Sequence, residues 1–266
     1  MKSPRIIANI FLKNGIVVQS YKFKKYFPIG ELSKSIEFLT KWGVDEIIII
    51  EIENKKIDYV NLKKSLINCE LPICYGGGVN ILDNILKLLK IGVDKVSFNN
   101  LLMNSPNKIK KFSSYLGKQF IVGSIDLIFS KNNYFIFNHQ RNKIDYTDTL
   151  KKFTFFEKLG VGEFFINFID KDGDMSGLEI DYVKRIKSIL NTPIIVTGGA
   201  ANPQHLIDFY KKTSCTPAVG NMYNHFENPI SLVKSCFIQK FGEVRTDNLY
   251  PYNKIFYEKI LCRNEN

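Results

Sequence analysis

The fold is decided by residues 43–53, GVDEIIIIEIE, because the same pattern returns 117 residues later as GVGEFFINFID at residues 160–170. A second related pair consists of LPICYGGG at residues 71–78 and TPIIVTGG at residues 192–199. Each half therefore carries an apolar strand that ends in charge, followed by a Pro-led strand that ends in glycines. A repeat of this length exceeds the solenoid units, which run to about 50 residues. The pattern predicts two half-barrels fused into one fold.

The composition is that of an ordinary globular chain. With 266 residues, 45% of them hydrophobic and 24% charged, the chain has the size of one α/β barrel, typically about 250 residues. No stretch approaches the roughly 20 apolar residues of a membrane span, and the start MKSPR lacks signal-peptide features. Five scattered cysteines without metal-ligand spacing indicate reduced thiols. We therefore expect a cytoplasmic protein with no membrane association.

The net charge of +11 does not by itself indicate a nucleic-acid partner. The lysines are spread over the predicted helices, as in Lys63-Lys64 and Lys151-Lys152, and are not gathered with aromatic residues on one element. This distribution favours solvated helix faces, and no nucleic acid is expected as a partner.

Strand-like runs alternate with segments of helical periodicity along the chain. The predicted strands cover residues 5–11, 46–52, 72–76, 94–98, 119–126, 163–169, 193–197 and 216–220. The predicted helices cover residues 30–42, 58–69, 81–91, 105–116, 146–159, 178–190, 202–213 and 226–241. Eight such pairs predict parallel strands joined by helical crossovers, and the internal repeat favours a closed (β/α)₈ barrel over an open sheet.

Three segments depart from the regular alternation. Residues 12–29 are predicted to form a long loop that begins with a tight turn at residues 13–15, and residues 127–145 an inserted hairpin. Residues 1–245 are predicted as a single barrel domain, and residues 246–266 as a C-terminal extension. In a barrel of this kind, chemistry belongs to the loops at the carboxyl ends of the strands.

Two glycine clusters, at residues 76–78 and 197–200, follow predicted strands three and seven. Glycine lets backbone N–H groups approach a phosphate closely, because no Cβ stands in the way. The neighbouring strands four and eight end in SFNN at residues 97–100 and VGN at residues 219–221. The pattern predicts two phosphate sites facing each other across the barrel mouth, for a long substrate with an anion at each end. Tight turns without a ligand are the alternative.

Asp126 ends predicted strand five inside the mouth, where a carboxylate acts as general acid or base; a loop-capping aspartate is the alternative. The segment DKDGD at residues 170–174 resembles part of a calcium loop. It lacks the closing Glu, since the twelfth position is Asp181, and no helix frames it. This predicts a substrate-binding loop, and neither a metal nor a cofactor is expected. His139, His205 and His225 form no triad with a Ser or Cys, so surface or capping roles are expected.

Four charges open or precede predicted strands one, two, four and six, at the bottom face of the barrel. They are Arg5, Glu46, Lys95 and Glu163. Because unpaired buried charges are costly, these groups are expected to neutralise one another near the barrel axis. The pattern fits a stabilising ion-pair plug as well as it fits a functional role.

Together these motifs resemble the cyclase subunit of imidazole glycerol phosphate synthase, from Arg5 to about residue 240. The matching motifs are RIIA at 5–8, KNG at 13–15, GGG at 76–78, DKDG at 170–173, SG at 176–177 and TGGA at 197–200. The resemblance implies a (β/α)₈ barrel that forms a heterodimer with a glutaminase subunit at its bottom face. Ammonia from that subunit crosses the barrel to the top, where a bisphosphorylated intermediate is cleaved and cyclised.

The resemblance also assigns roles to individual positions. It implies that one phosphate is held by Gly78, Asn99 and Asn100, and the other by Asp172, Gly173, Gly199, Gly220 and Asn221. It implies that an ammonia gate is formed by Arg5, Glu46, Lys95 and Glu163, and that Asp94 contacts the glutaminase.

One catalytic position departs from the family. The family pairs two aspartates as general acid and base, after strands one and five, and Asp126 matches the second. The segment NIFL at residues 9–12 places Phe11 where the first belongs, and Gln19 stands where a lysine is usual. Phenylalanine cannot transfer a proton, and loss of one member of such a pair commonly costs about 10²–10⁴ in rate.

The favoured interpretation is a specialised paralogue that keeps ammonia delivery but acts on another phosphorylated molecule or nucleotide-linked sugar. Cyclase-like subunits of this kind resemble partners in adding an acetamidino group to sugars of bacterial surface glycans. The first alternative is an authentic histidine-pathway cyclase, in which Glu51, at the end of strand two, substitutes for the missing carboxylate. The second is a non-catalytic scaffold that activates a glutaminase.

Overall fold

The computed structural model describes residues 4–53, 56–225, 228–242 and 244–245. Its strands are β1 Ile7–Lys13, β2 Ile16–Tyr21, β3 Lys25–Glu31, β4 Glu46–Glu51, β5 Ile73–Gly76, β6 Lys95–Phe98, β7 Ile121–Ser130, β8 Asn133–Asn138, β9 Lys143–Asp145, β10 Glu163–Phe168, β11 Ile194–Thr197 and β12 Thr216–Val219. Its α-helices are α1 Leu32–Trp42, α2 Tyr59–Leu66, α3 Leu82–Lys90, α4 Asn100–Asn104, α5 Pro106–Leu116, α6 Thr149–Lys158, α7 Asp181–Ile189, α8 Pro203–Thr213 and α9 Pro229–Phe241.

Eight of these strands close into a parallel barrel. They pair in the order β1, β4, β5, β6, β7, β10, β11 and β12, and β12 returns to β1 through the pairs Ile7–Ala218 and Ala8–Val219. This confirms the predicted (β/α)₈ fold. The origin from two half-barrels stays a prediction, although Gly77 and Gly198 pack in the same way against the ends of the neighbouring strands β4 and β10. A Cβ at either position would approach the carbonyl oxygen of Glu51 or Phe168 within 2.5 or 2.6 Å.

Strand alternation divides the core into two layers. Ile47 and Ile49 of β4 point outward and join the large cluster beneath the helices, whereas Ile48 between them points into the barrel. The interior cluster consists of Ile7, Ile48, Cys74, Val122, Phe165, Ile195 and Ala218. Because both faces of every barrel strand are covered, the strands read as continuous apolar runs rather than as alternating patterns.

The predicted loop at residues 12–29 is wrong, because the segment forms an antiparallel hairpin. β1 continues to Lys13, the chain turns at Asn14 and Gly15 with φ of 53° and 77°, and β2 pairs back onto β1 and then with β3. Two successive residues with positive φ form the tight turn whose twist matches a hairpin. We call residues 16–31 the cover hairpin. The second insertion, predicted as a hairpin at residues 127–145, is confirmed by β7, β8 and β9.

Helix α9 is attached to the barrel by a buried ion pair. Lys234 of α9 donates from Nζ to Asp45 Oδ1 at 2.8 Å, and the two side chains are 0% and 2% exposed. The Oδ2 atom of Asp45 accepts the backbone N–H of Ile6 at 2.7 Å, which joins the starts of β1 and β4. The predicted extension at residues 246–266 lies outside the described residues. No helix in the described part of the chain is long and apolar enough to cross a membrane.

Candidate active site at the barrel mouth

A closed ring of ion pairs seals the bottom of the barrel. Arg5 donates to Glu46 at 2.8 Å and to Glu163 at 2.5 Å, and Lys95 donates to the same two carboxylates at 2.9 and 2.8 Å. The structure therefore brings together the four charges that the sequence predicted to neutralise one another.

The ring keeps its charges despite burial. Burial by itself lowers the pKa of Arg5 and of Lys95, but attraction to Glu46 and Glu163 outweighs it, and both pKa values are raised. Burial alone would raise the pKa of Glu163, but the two cations lower it. All of these shifts favour the ionised, closed arrangement.

Polar side chains line the barrel above the apolar interior layer. Strand alternation places them two residues beyond that layer, at buried positions Asn9, Ser97, Ser124, Asn167 and Thr197. Thr197 donates from its hydroxyl to Asn9 Oδ1 at 3.0 Å. The axis thus runs from a charged ring through an apolar layer to a polar mouth.

Asp126 lies at the centre of this polar mouth, 7% exposed. Its Oδ2 atom accepts a hydrogen bond from Asn99 Nδ2 at 2.9 Å, and its Oδ1 atom accepts one from Asn167 Nδ2 at 3.2 Å. These contacts hold the carboxylate inside the barrel, on β7 and not in a loop.

A histidine that the sequence reasoning placed at the surface contacts this carboxylate. His139 Nε2 lies 2.8 Å from Asp126 Oδ2, and its ring packs edge-on against Phe137 with centroids 4.9 Å apart. Burial lowers the pKa of His139, but the hydrogen bond and charge of Asp126 outweigh it and raise that pKa. His139 is exposed, as the sequence predicted, but its ring also contacts the buried Asp126, a partner that the prediction missed.

The hairpin register was the signal that could have located His139. Lys131 and Asn132 have φ of 45° and 60°, and they form a two-residue turn that pairs Ser130 with Asn133. Continuing that register places Phe137 opposite Asp126 in the middle of β7, and residue 139 follows two positions later on the same face of the hairpin.

Phe11 points into the mouth, where it is 3% exposed. It shares the inward alternation of Ile7 in β1, and its ring meets that of Phe23 edge-on, with centroids 5.0 Å apart. Phe23 belongs to the cover hairpin and also contacts the ring of His139, at 6.2 Å between centroids. The rings of Phe11, Phe23 and His139 thus form a row of aromatic contacts at the mouth, where the resemblance implies a carboxylate in the family.

Glu51 is directed away from the barrel interior. Alternation along β4 gives it the outward orientation of Ile47 and Ile49, opposite to Ile48 and Phe11. Burial raises the pKa of Tyr75, on the outer face of β5, and the charge of Glu51 adds to this shift. This geometry does not support Glu51 as a substitute for the carboxylate missing at Phe11.

The first predicted phosphate loop follows β5 and β6. Gly78 has φ of 68°, a conformation that favours glycine, and Asn100 begins α4 beside it. Asn99 turns its amide N–H toward Asp126, and its buried Oδ1 has no hydrogen-bond partner among the described residues. An unsatisfied buried acceptor of this kind calls for a donor from a ligand or water.

The second predicted phosphate loop lies beneath the cover hairpin. Asn221 Nδ2 donates to the backbone oxygen of Ser20 at 2.6 Å, and a Cβ on Gly173 would lie 2.7 Å from that same oxygen. A Cβ on Gly199 would lie 2.4 Å from the carbonyl oxygen of Gly177. The side-chain amide of Asn221, which the resemblance assigns to a phosphate together with Gly220, is here hydrogen-bonded to the backbone of the cover hairpin.

Asp172 is the most perturbed carboxyl of the mouth. Burial raises its pKa to about 7, with further contributions from the charges of Asp126 and Asp174 and an opposing hydrogen bond from Ser20. Its Oδ2 atom is buried and accepts no hydrogen bond from the described residues. Near neutral pH this group is available as a neutral carboxylic acid, which donates a hydrogen bond instead of repelling an anion.

Two further predicted positions lie at opposite ends of the barrel. Asp94 precedes β6 at the exposed bottom face, and its Oδ2 accepts the backbone N–H of Ile73 at 2.8 Å. Gln19, where the family usually has lysine, lies 3.0 Å from His225 Nε2 at the top. Within the described ranges, no three His, Cys, Asp or Glu side chains are grouped so that they could hold a metal ion.

The chain is similar to proteins of one family along most of its length. The family model described as "Histidine biosynthesis protein" matches residues 5–226. "Putative imidazole glycerol phosphate synthase subunit hisF2" of Vibrio vulnificus YJ016 is 32% identical over 241 residues, 87% of each chain. "Imidazole glycerol phosphate synthase subunit HisF" of Staphylococcus saprophyticus is 30% identical over 246 residues, 88% of this chain and 96% of that protein. The chain therefore belongs to the histidine biosynthesis protein family, within its group of imidazole glycerol phosphate synthase cyclase subunits.

Proposed function

We propose that this protein receives ammonia from a glutaminase partner at its bottom face and uses it on a phosphorylated substrate at its mouth. One observation carries the proposal: the closed charge ring and Asp126 lie on the same barrel axis, at opposite ends of an apolar interior. An ion-pair plug that served stability alone would need no polar, carboxylate-bearing mouth above it.

The interior suits neutral ammonia. Above the ring, the lining consists of aliphatic, aromatic and thiol side chains, including Ile48, Cys74 and Phe165. Ammonium would lose its hydration there without compensation, whereas neutral ammonia would lose far less. The charged ring would hold back ions, and its salt bridges must rearrange for passage. We further propose that Asp94, exposed at the same face, contacts the partner.

The mouth suits a substrate with phosphate groups. The glycines of the two loops admit backbone N–H groups to a phosphate, and the Asn221 amide and the second N–H of Asn99 add side-chain donors. Asp172 fits an anion site because its raised pKa allows it to donate as a neutral acid. For phosphate to reach Asn221, the hydrogen bond between Asn221 Nδ2 and the Ser20 backbone oxygen must break. The cover hairpin must therefore open when substrate binds.

Phe11 makes a specialised paralogue the favoured form of this function. The buried Phe11 side chain replaces one member of the family's acid–base pair and makes the mouth more apolar. The ring of ion pairs at the bottom face is complete. A change confined to the top face fits a new acceptor, such as a nucleotide-linked sugar that gains an acetamidino nitrogen. Relatives named as hisF2 copies, including that of Vibrio vulnificus, support a second-copy role.

The test is turnover with excess ammonium, which bypasses the glutaminase. The purified protein is offered the family's bisphosphorylated intermediate and, separately, a nucleotide-linked acetamido sugar. We expect little turnover of the bisphosphate by the wild type and a gain of at least about 10²-fold in Phe11→Asp, with Phe11→Leu as the control that removes the ring without adding a carboxylate.

Efficient wild-type turnover of the bisphosphate would contradict the paralogue assignment and identify a histidine-pathway cyclase. If neither acceptor is consumed by the wild type or by Phe11→Asp, the catalytic proposal fails and the scaffold alternative is favoured. Glutamine hydrolysis by an added partner, retained in Asp126→Asn, would support that scaffold.

A further inference from the structure

We propose that His139 and Asp126 form an acid–base dyad that supplies the proton transfer lost with the carboxylate at position 11. This inference rests on the proposed function, since it concerns the step in which ammonia attacks the substrate. It assigns a catalytic role to a histidine from the inserted hairpin, outside the barrel strands.

The contact has the geometry of a working dyad. Nε2 of His139 lies 2.8 Å from Oδ2 of Asp126, so the carboxylate fixes the ring orientation and favours the tautomer with hydrogen on Nε2. Nδ1 is then the basic nitrogen, and no other described residue hydrogen-bonds this ring. The imidazole side chain is 34% exposed and the carboxylate 10%, so the base is accessible while its partner is shielded.

The turn that presents His139 is held in place. Asn138 accepts the backbone N–H of Arg141 at 3.0 Å and donates to Asn104 of α4 at 3.3 Å. Asn104 in turn donates to Gln140 at 2.7 Å. Because α4 begins directly after Asn99, one short helix positions both the histidine turn and a second donor to Asp126.

The surroundings of the ring favour proton transfer. The rings of Phe23 and Phe137 lie 6.2 and 4.9 Å from that of His139, and among the described residues Asp126 is the charged group that shifts its pKa. The hydrogen bond and the charge of Asp126 outweigh burial and raise the pKa of the imidazole, which makes the ring a stronger base.

The proposed step balances without a further reactant. As ammonia adds to a carbonyl carbon of the substrate, the C–N bond forms and the π electron pair moves to oxygen. Nδ1 of His139 takes one proton from nitrogen and returns a proton to that oxygen, and Asp126 stabilises the imidazolium between these events. The dyad ends in its starting state, and no oxidant or reductant is consumed.

The dyad is tested first without a substrate, by long-range ¹H–¹⁵N NMR of the histidine rings across pH. We expect the Nε2–H tautomer for His139 and a pKa above the ordinary value of about 6.5. In Asp126→Asn this pKa should fall, and in Arg141→Gln, an exposed change in the same turn, it should not. An Nδ1–H tautomer, or a pKa that is unchanged in Asp126→Asn, would overturn the dyad.

The catalytic role is then tested with whichever acceptor the ammonium assay identifies. His139→Gln keeps a donor for Asp126 but cannot exchange a proton, so kcat should fall about 10²–10⁴-fold with KM nearly unchanged. The limb of the pH–rate profile that belongs to His139 should disappear, and Arg141→Gln should keep it. Full activity and an unchanged pH profile in His139→Gln would overturn the inference and leave the proposed function standing. If neither acceptor is consumed by the wild type or by Phe11→Asp, the proposed function fails and the NMR result alone decides the dyad.

Discussion

Replacing Asp172 by asparagine should change how the stability of the protein depends on pH. In the folded chain, burial and the neighbouring carboxylates raise the pKa of Asp172 to about 7, compared with 3.8 for an ordinary aspartate. The folded state therefore holds a proton that the unfolded chain has already released between these two values. An asparagine side chain at this position would have nearly the same shape but no proton to lose.

The direction and size of the change in unfolding free energy follow from this difference in pKa. Stability from a raised carboxyl pKa is fully present below about pH 4 and is lost as the pH rises through about 7. A pKa difference of about three corresponds to about 4 kcal/mol, since each unit contributes about 1.4 kcal/mol. Asp172→Asn should thus gain up to about 4 kcal/mol relative to the wild type between pH 4 and pH 8.

Urea unfolding at several pH values from 4 to 8 measures this change. The control is Asp181→Asn, because the side chain of Asp181 is 93% exposed, and its curve should run parallel to that of the wild type. If Asp172→Asn also runs parallel to the wild type over the whole range, the neutral carboxyl at the mouth is refuted. Asp172 would then be charged near neutral pH and could not donate a hydrogen bond to phosphate.

Two further predictions concern the scaffold. Lys234→Met leaves Asp45 buried without its ion-pair partner and should lower the free energy of unfolding by about 3–5 kcal/mol. The double variant Lys234→Met with Asp45→Asn should recover much of that loss, because no buried charge remains. Urea unfolding measures both changes. Gly199→Ala should destabilise more than Gly92→Ala, because both have positive φ but only the first brings a Cβ to within 2.4 Å of a carbonyl oxygen; equal losses in thermal unfolding would contradict this.

The barrel and its bottom ring could be predicted from the sequence because their signals are local. Continuous apolar strands and helical periodicity each depend on neighbours a few residues apart, so the eight barrel strands and their crossovers follow directly. The charges at strand starts must share one face of a parallel barrel, and burial then requires them to pair. Few other pairings were therefore possible for the four charged residues of the ring, Arg5, Glu46, Lys95 and Glu163.

Tertiary structure decided the mouth. Residues 16–31 carry too irregular an alternation to be recognised as strands, and they pair only because β1 offers a free edge beyond the barrel. The orientation of Glu51 depended on the pairing register of β4, because a slip of one residue moves every side chain of a strand to the other face. The contact between His139 and Asp126 depended on the register of a hairpin set by its two-residue turn. Such long-range placements are fixed by turn geometry and side-chain packing, which the composition and periodicity of a single sequence do not encode.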